Sequence, residues 1–332
     1  MNRPPKVPVT ILTGFLGAGK TTLLKRILHE RHGERIAVIE NEFGEEGIDN
    51  ELLVRDGTEQ ILEMNNGCIC CKVRGDLIRI LGELADRRDR GQARFDRVVI
   101  ETTGLADPAP VAQTFFVDED VAARYTLDAI LTVVDAKHAP RQLDEHHEAA
   151  EQVGFADRIL LSKTDLVAPQ EVAALRERIV RINPRAPVRE VHFGQVPVAE
   201  LLDVAGFSLD DILRIEPGFL DDLDHEHDEA VASFVFRSHR PLDADWLQAF
   251  FARALQEHGE RLMRVKGVVA FAGVDSRVVF QGMHMMMASD IGRDWAPGEP
   301  RESRIVFIGK GLPREAFLQA LDQCVAISAA SA

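Results

Sequence analysis

Gly14-Phe15-Leu16-Gly17-Ala18-Gly19-Lys20-Thr21 is the stretch that most narrows what this chain can fold into. It matches Gly-x-x-x-x-Gly-Lys-Ser/Thr and lies between an apolar β-rich run at 9–12 and a helical pattern at 20–31. Strand, glycine-rich loop and helix in that order commit the chain to a nucleotide-binding α/β sheet. The backbone amides of Gly14, Gly17, Ala18 and Gly19 can wrap phosphates, and the helix turns its positive end toward them. Lys20 reaches the β- and γ-phosphates, Thr21 offers a hydroxyl to Mg²⁺, and Thr22 completes the nucleotide-binding set. A merely structural glycine turn would have no need of that lysine.

The same grammar continues to about Arg189. Short apolar runs at 9–12, 36–39, 98–100, 129–134, 158–161 and 188–191 read as strands. Helical patterns at 20–31, 72–88, 109–116, 141–152 and 169–182 separate them, several ended by glycine or followed by proline. The spacing predicts a doubly wound, mostly parallel P-loop sheet. With 332 residues, 45% of them hydrophobic, the chain can fill a second core. Residues 216–229 lose periodicity, open with Pro-Gly and gain acidic charge and His225 and His227, which reads as a linker. Beyond it, strands at 231–236, 263–271, 278–281 and 305–308 and helices at 243–258 and 313–326 predict a smaller α+β module. The expected domains are therefore 1–215, a linker at 216–229, and 230–329.

Val98-Val99-Ile100-Glu101-Thr102-Thr103-Gly104 ends an apolar strand in a carboxylate, with a glycine three residues on. Glu101 can hold Mg²⁺ or its water, and the Gly104 amide can sense a γ-phosphate. Its extra methylene relative to aspartate favours contact through water. A carboxylate ending a strand also serves as a helix cap, so both roles stay open. Lys20, Thr21 and Glu101 form the candidate catalytic set. Neither Leu105 nor Ala106 can orient water, so unassisted hydrolysis is expected to be slow, on the order of one turnover per minutes to hours.

Leu160-Leu161-Ser162-Lys163-Thr164-Asp165 follows another apolar strand and resembles the Asn-Lys-x-Asp loop that reads guanine, with Ser162 in place of asparagine. Asp165 would accept from guanine N1–H and the 2-amino group, and Lys163 would lie along the base plane. Adenine offers neither donor, which would leave a buried carboxylate unpaired. The expected ligand is GTP with Mg²⁺.

Asn66-Gly67-Cys68-Ile69-Cys70-Cys71 falls between the P-loop helix and the Glu101 strand. Three thiolates favour zinc or copper(I) over hard cations and leave one tetrahedral position open. Glu40 or Glu45, just after the second strand, could complete the shell. A single cluster without paired Cys/His spacing points to an exchangeable rather than a structural site. Of four cysteines, three fall in this cluster, too cramped for a disulfide framework, and Cys324 sits in an apolar helical pattern as a packing residue. His225-Glu226-His227 could pre-load metal but suits a solvated hinge better, and Met283-His284-Met285-Met286-Met287 suits ordinary packing better than a soft-metal site.

The net charge of −15, from 54 acidic and 39 basic side chains, disfavours nucleic acid and anionic membrane surfaces as partners. No run approaches the roughly 18 apolar residues of a membrane span, and the apolar run at 9–16 has no cleavage signal, so a cytoplasmic location is expected.

Taken in order, the motifs at 14–22, 40–47, 67–71, 101–104 and 162–165 make the chain resemble the CobW family of GTPases, relatives of the nickel-insertion GTPases of urease and hydrogenase. The resemblance extends to Arg264-Val265-Lys266-Gly267, Phe280-Gln281-Gly282 and the segment 304–309, which look like that family's C-terminal domain. It implies GTP-dependent delivery of zinc, or cobalt in some branches, to a client metalloprotein, with metal held at Cys68, Cys70 and Cys71. A homo-oligomer is compatible with it. Two other readings stay open: a zinc-status sensor in which hydrolysis is incidental, and a phosphotransferase on the same scaffold. Acceleration by a client separates the first from the chaperone, and an assay on small acceptors separates the second.

Overall fold

The structure, a computed structural model, describes residues 6–30, 33–40, 60–63, 70–192, 196–198, 201–202, 204 and 231–326, and at 60–63 and 70–73 it describes the backbone alone. Cys68, Glu45, most of the 40–47 stretch and the 216–229 linker with His225 and His227 lie outside the described residues. The chain forms two compact units, Met1–Arg176 with Pro187–Gly206, and Glu177–Ala186 with Phe207–Ala332.

The first unit is built on a seven-stranded sheet in the order β3-β2-β4-β1-β5-β6-β7 with every pair parallel. Its strands are β1 (Val7–Thr13), β2 (Ile36–Glu40), β3 (Gln60–Glu63), β4 (Arg97–Glu101), β5 (Tyr125–Asp135), β6 (Arg158–Ser162) and β7 (Val188–Val191). The helices that follow these strands are α1 (Lys20–His29), α2 (Cys70–Asp89), α3 (Ala109–Val117), α4 (Glu119–Arg124), α5 (Ala139–Glu145), α6 (His147–Phe155) and α7 (Pro169–Ile182), the last divided between the two units at Arg176. Strands β1, β4 and β5 are buried almost throughout, as continuous Val/Ile/Leu runs must be when both faces are covered. Because β2 and β3 go to one side of β1 and β5 to the other, the chain reverses its direction of travel at the carboxyl end of β1. Open parallel sheets present their ligand crevice at such a point.

The helices of this sheet depart from the sequence expectation in two places. The helix predicted at 141–152 is two helices, α5 and α6, parted at His146, whose backbone is extended (φ −133°, ψ 114°). An unpredicted α4 is capped by Asp118, which accepts from the Val121 amide at 2.9 Å.

At the amino end of the sheet, Arg97 is fully buried. It donates to Asp128 at 2.8 Å, Glu34 at 2.9 Å and the Thr10 hydroxyl at 3.3 Å, tying β4 to β5, to β1 and to the residues that lead into β2.

The second unit contains an antiparallel sheet in the order β11-β10-β9-β12-β8: β8 (Ala232–Ser238), β9 (Leu262–Val269), β10 (Ser276–Met283), β11 (Met286–Asp294) and β12 (Ser303–Gly309). Helices α8 (Ala244–His258) and α9 (Arg314–Gln323) pack on one face through Phe234, Phe251, Phe307 and Phe317. The methionines of the β10–β11 hairpin diverge: Met287 joins that core, Met283 is buried and Met285 is exposed. No helix among the described residues is long and apolar enough to cross a membrane.

Candidate nucleotide and metal site

The loop after β1 closes on itself through Ala18 N–H to Phe15 O at 3.1 Å, and α1 starts at Lys20. Gly14 has φ +142°, and a side-chain carbon there would overlap the Val133 carbonyl of β5, so only glycine lets the loop lie against the strand. Lys20 folds back over the loop and donates to Gly14 O at 2.9 Å and Phe15 O at 3.5 Å. Burial lowers its pKa, and nearby Glu101 works in the opposite direction. A buried ammonium held by neutral carbonyls is poised for an anion of higher charge.

Thr21 donates to Glu101 Oε1 at 3.1 Å, joining the first turn of α1 to the end of β4. Glu101 stands level with Glu40 of β2, and Glu40 with Glu63 of β3, so three neighbouring strands reach the carboxyl edge with a glutamate at one register. A hydroxyl and a carboxylate in contact beside a phosphate cradle are an oxygen donor set suited to Mg²⁺. Past β4, the Thr102 hydroxyl bonds the Thr13 hydroxyl at 2.8 Å and its amide bonds Leu12 O at 2.9 Å. Gly104 is pressed against the P-loop: a Cβ there would sit 2.6 Å from Leu16 N.

The loop after β6 is tied to the P-loop at two main-chain points. The Ser162 hydroxyl donates to Ala18 O at 2.7 Å, and Lys163 Nζ donates to Gly17 O at 2.8 Å. Lys163 takes φ +58°, a left-handed conformation that costs a non-glycine residue on the order of 1 kcal/mol. It also pairs with Asp135 Oδ2 at 2.7 Å. Asp165, in a short 3-10 turn, has an exposed carboxylate 3.8 Å from His192 Nδ1, not the buried one the sequence reading assumed.

Asp135 is a candidate site residue that the sequence reading did not name. It is buried at the end of β5, and its carboxylate also accepts from the Lys137 amide at 2.9 Å and from His138 Nδ1 at 2.8 Å. Burial pushes its pKa up, but the hydrogen bonds from Lys163 and His138 outweigh that and hold it below the usual carboxylate value. The signal was present: Val133-Val134-Asp135 ends an apolar strand in a carboxylate as Ile100-Glu101 does. Gln152 was also missed. It lies buried in α6 and donates to both Gly104 O and Ala106 O at 3.1 Å. Nothing in its local sequence marks it.

The structure thus brings the P-loop, Glu101, Glu40, Gly104 and the Ser162–Asp165 loop to the carboxyl edge of one sheet. Of the thiol cluster, Cys70 opens α2 and Cys71 follows it. Cys324 is buried, and burial raises its thiol pKa to about 11, which leaves it inert at neutral pH.

Residues 8–190 match the model of the CobW/HypB/UreG nucleotide-binding domain, and 231–325 match that of the cobalamin synthesis protein cobW C-terminal domain. The chain is 44% identical to the zinc chaperone YjiA of Escherichia coli K12 over 310 residues, covering 93% of this chain and 96% of that one. To the zinc chaperone CobW of Pseudomonas aeruginosa it is 35% identical over 355 residues, covering 97% and 92%. A crystal structure of Zn(II)-bound YjiA GTPase from E. coli superposes with a TM-score of 0.81 at 37% identity, covering 97% of this chain and all of that one.

Proposed function

This chain belongs to the CobW/HypB/UreG family, and from that membership we propose that it is a GTP-hydrolysing zinc chaperone whose nucleotide state sets its hold on the metal. Lys20 leaves its carbonyl partners for the β- and γ-phosphates, and the amides of Gly14, Gly17, Ala18 and Gly19 close round them. Thr21 and Glu101 would hold Mg²⁺, Glu101 directly or through water, and when bound the ion neutralises charge on the phosphates. Asp165 reads guanine, while Lys163 and Ser162 hold the base loop to the P-loop. Gly104 offers its amide to the γ-phosphate. Leu105 and Ala106 supply nothing to orient water, so turnover awaits a client metalloprotein.

Zinc is the cargo favoured by three thiols, Cys68, Cys70 and Cys71, with Glu40 or Glu45 as the fourth ligand; cobalt would take the same donors less readily. Cys70 and Cys71 lie in the first turn of α2. The observation that carries the reading is the register of β2 on β4. Glu40 stands beside Glu101, which Thr21 holds, so the strand leading to the proposed metal ligands ends one strand from the Mg²⁺ carboxylate. Anything that reorders this edge acts on both sites.

Zinc should bind more tightly with a non-hydrolysable GTP analogue than with GDP, by roughly 5- to 150-fold. By linkage zinc should raise analogue affinity by the same factor. Competition titration against a zinc chelator in each nucleotide state measures it. Cys70→Ser should weaken zinc and erase the nucleotide dependence together. Equal zinc affinities in the two states would remove the switch and leave a passive metal sensor.

A further inference from the structure

Helix α6 reaches the nucleotide site twice, and neither contact belongs to a nucleotide-binding motif. At its start the His146 ring lies 4.8 Å from the ring of Phe15 in the P-loop, a contact that the break between α5 and α6 makes available. Farther along, the Gln152 amide donates to Gly104 O and Ala106 O, 3.1 Å each, from a position only 1% exposed. The Gln152 main-chain carbonyl accepts from Thr132 Oγ1 of β5 at 2.8 Å, which anchors this turn of the helix to the sheet.

A side-chain NH₂ has two protons and can satisfy two carbonyls at once; a carboxylate, thioether or hydrocarbon of similar size cannot. The carbonyls that Gln152 satisfies lie in the irregular segment leaving the Glu101 strand, where no ladder or helix fixes the backbone. Leu16 closes Gly104 from another direction, with N and Cα within 2.6 and 2.8 Å of where a Cβ would stand. The Gly104 peptide is therefore clamped between the P-loop and a single amide.

We propose that Gln152 is a positioning residue for GTP: by holding the carbonyls of Gly104 and Ala106 it sets the main chain so that the Gly104 amide meets the γ-phosphate. This rests on the reading that Gly104 faces that phosphate. The ligand feature it recognises is the terminal phosphate of a nucleoside triphosphate, so removing the clamp should act on triphosphate and spare diphosphate.

Gln152→Met keeps the volume and loses both donors. Affinities for a non-hydrolysable GTP analogue and for GDP are measured side by side by titration, with kcat and KM for GTP. The analogue should weaken by about tenfold, as expected for two lost hydrogen bonds, and GDP by no more than about twofold. The kcat should fall as well. An amide that merely fills the core would weaken both ligands equally or neither, and either result overturns the proposal. If the wild-type protein itself binds analogue and GDP alike, the reading of Gly104 fails and the proposal with it. If the wild type discriminates and Gln152→Met discriminates equally, only the proposal falls. Should Gln152→Met not fold, Gln152→Asn, whose shorter amide cannot reach both carbonyls, is judged by the same ratio.

Discussion

The two ends of the parallel sheet both bury charge, and they do so in opposite ways. At the amino end Arg97 is surrounded by Asp128, Glu34 and Thr10, all supplied by the chain. At the carboxyl end Lys20 rests on two backbone carbonyls. The first arrangement pairs charge with charge, whereas the neutral carbonyls that hold Lys20 are weaker partners than the phosphates of a nucleotide. A charge that serves stability is matched by the fold, and a charge that serves binding is left on provisional contacts.

Substitutions at the two ends should therefore fail differently. The largest effect is expected for Lys20→Ala, which should abolish GTP turnover and weaken triphosphate binding by about 1.5–3 kcal/mol, roughly 10- to 150-fold, while the thermal midpoint stays near that of the wild type. Titration and calorimetry test this, and a large loss of stability would place Lys20 with Arg97 and erase the contrast. Arg97→Met should do the reverse. Stranding Asp128 should cost about 3–5 kcal/mol of unfolding free energy, read by denaturant titration, and leave nucleotide affinity unchanged in the protein that folds.

Asp135→Asn sharpens the comparison, because Asp135 is a carboxyl-end residue whose partners the chain does supply. Loosening Lys163 from its charge partner should weaken GTP and GDP together by about 1–2 kcal/mol, which parallel titrations would show. A loss confined to GTP would mean that Asp135 acts on the γ-phosphate rather than on the base loop. The smallest effect belongs to Asp96 at the amino end, whose hydrogen bond from exposed Arg35 lowers its pKa from an ordinary 3.8 to about 2. A depressed folded pKa stabilises above the ordinary value, and that contribution is lost as pH falls from about 4 to 2. Asp96→Asn should slightly lower stability at neutral pH and leave it unchanged near pH 2, as thermal melts at both values would show.

Much of the candidate site was legible because its chemistry is local. A glycine loop before a lysine, and a carboxylate closing a run of valines and isoleucines, announce themselves within eight residues, and the structure brings them to one edge. What was illegible depends on partners far along the chain. The helical period runs unbroken through Glu145-His146-His147, so nothing local marks the break that sets His146 against Phe15. Gln152 reads as a polar residue within a helix until Gly104 and Ala106, more than forty positions earlier, come within reach. The four residues of β3 are too few for a periodicity, and they are a strand because β2 supplies the ladder. Strand β11 contains Ser289, Asp290 and Gly292, which read as a turn in isolation, and β10 overrides them. Asp118 ahead of Glu119 and Asp120 was a helix-start signal in plain view.

The anchoring of the Ser162–Asp165 loop has a consequence for how this protein can drift over generations. Ser162 and Lys163 grip the carbonyls of Ala18 and Gly17, and a carbonyl is present whatever residue a codon specifies. Mutation at 17 or 18 can therefore spoil the loop's shape but never delete the acceptor, while at 162 or 163 any change to a side chain without a donor deletes the bond. Heritable freedom is lopsided: the side that gives the hydrogen bond is exposed to loss, and the side that receives it is insured by the backbone.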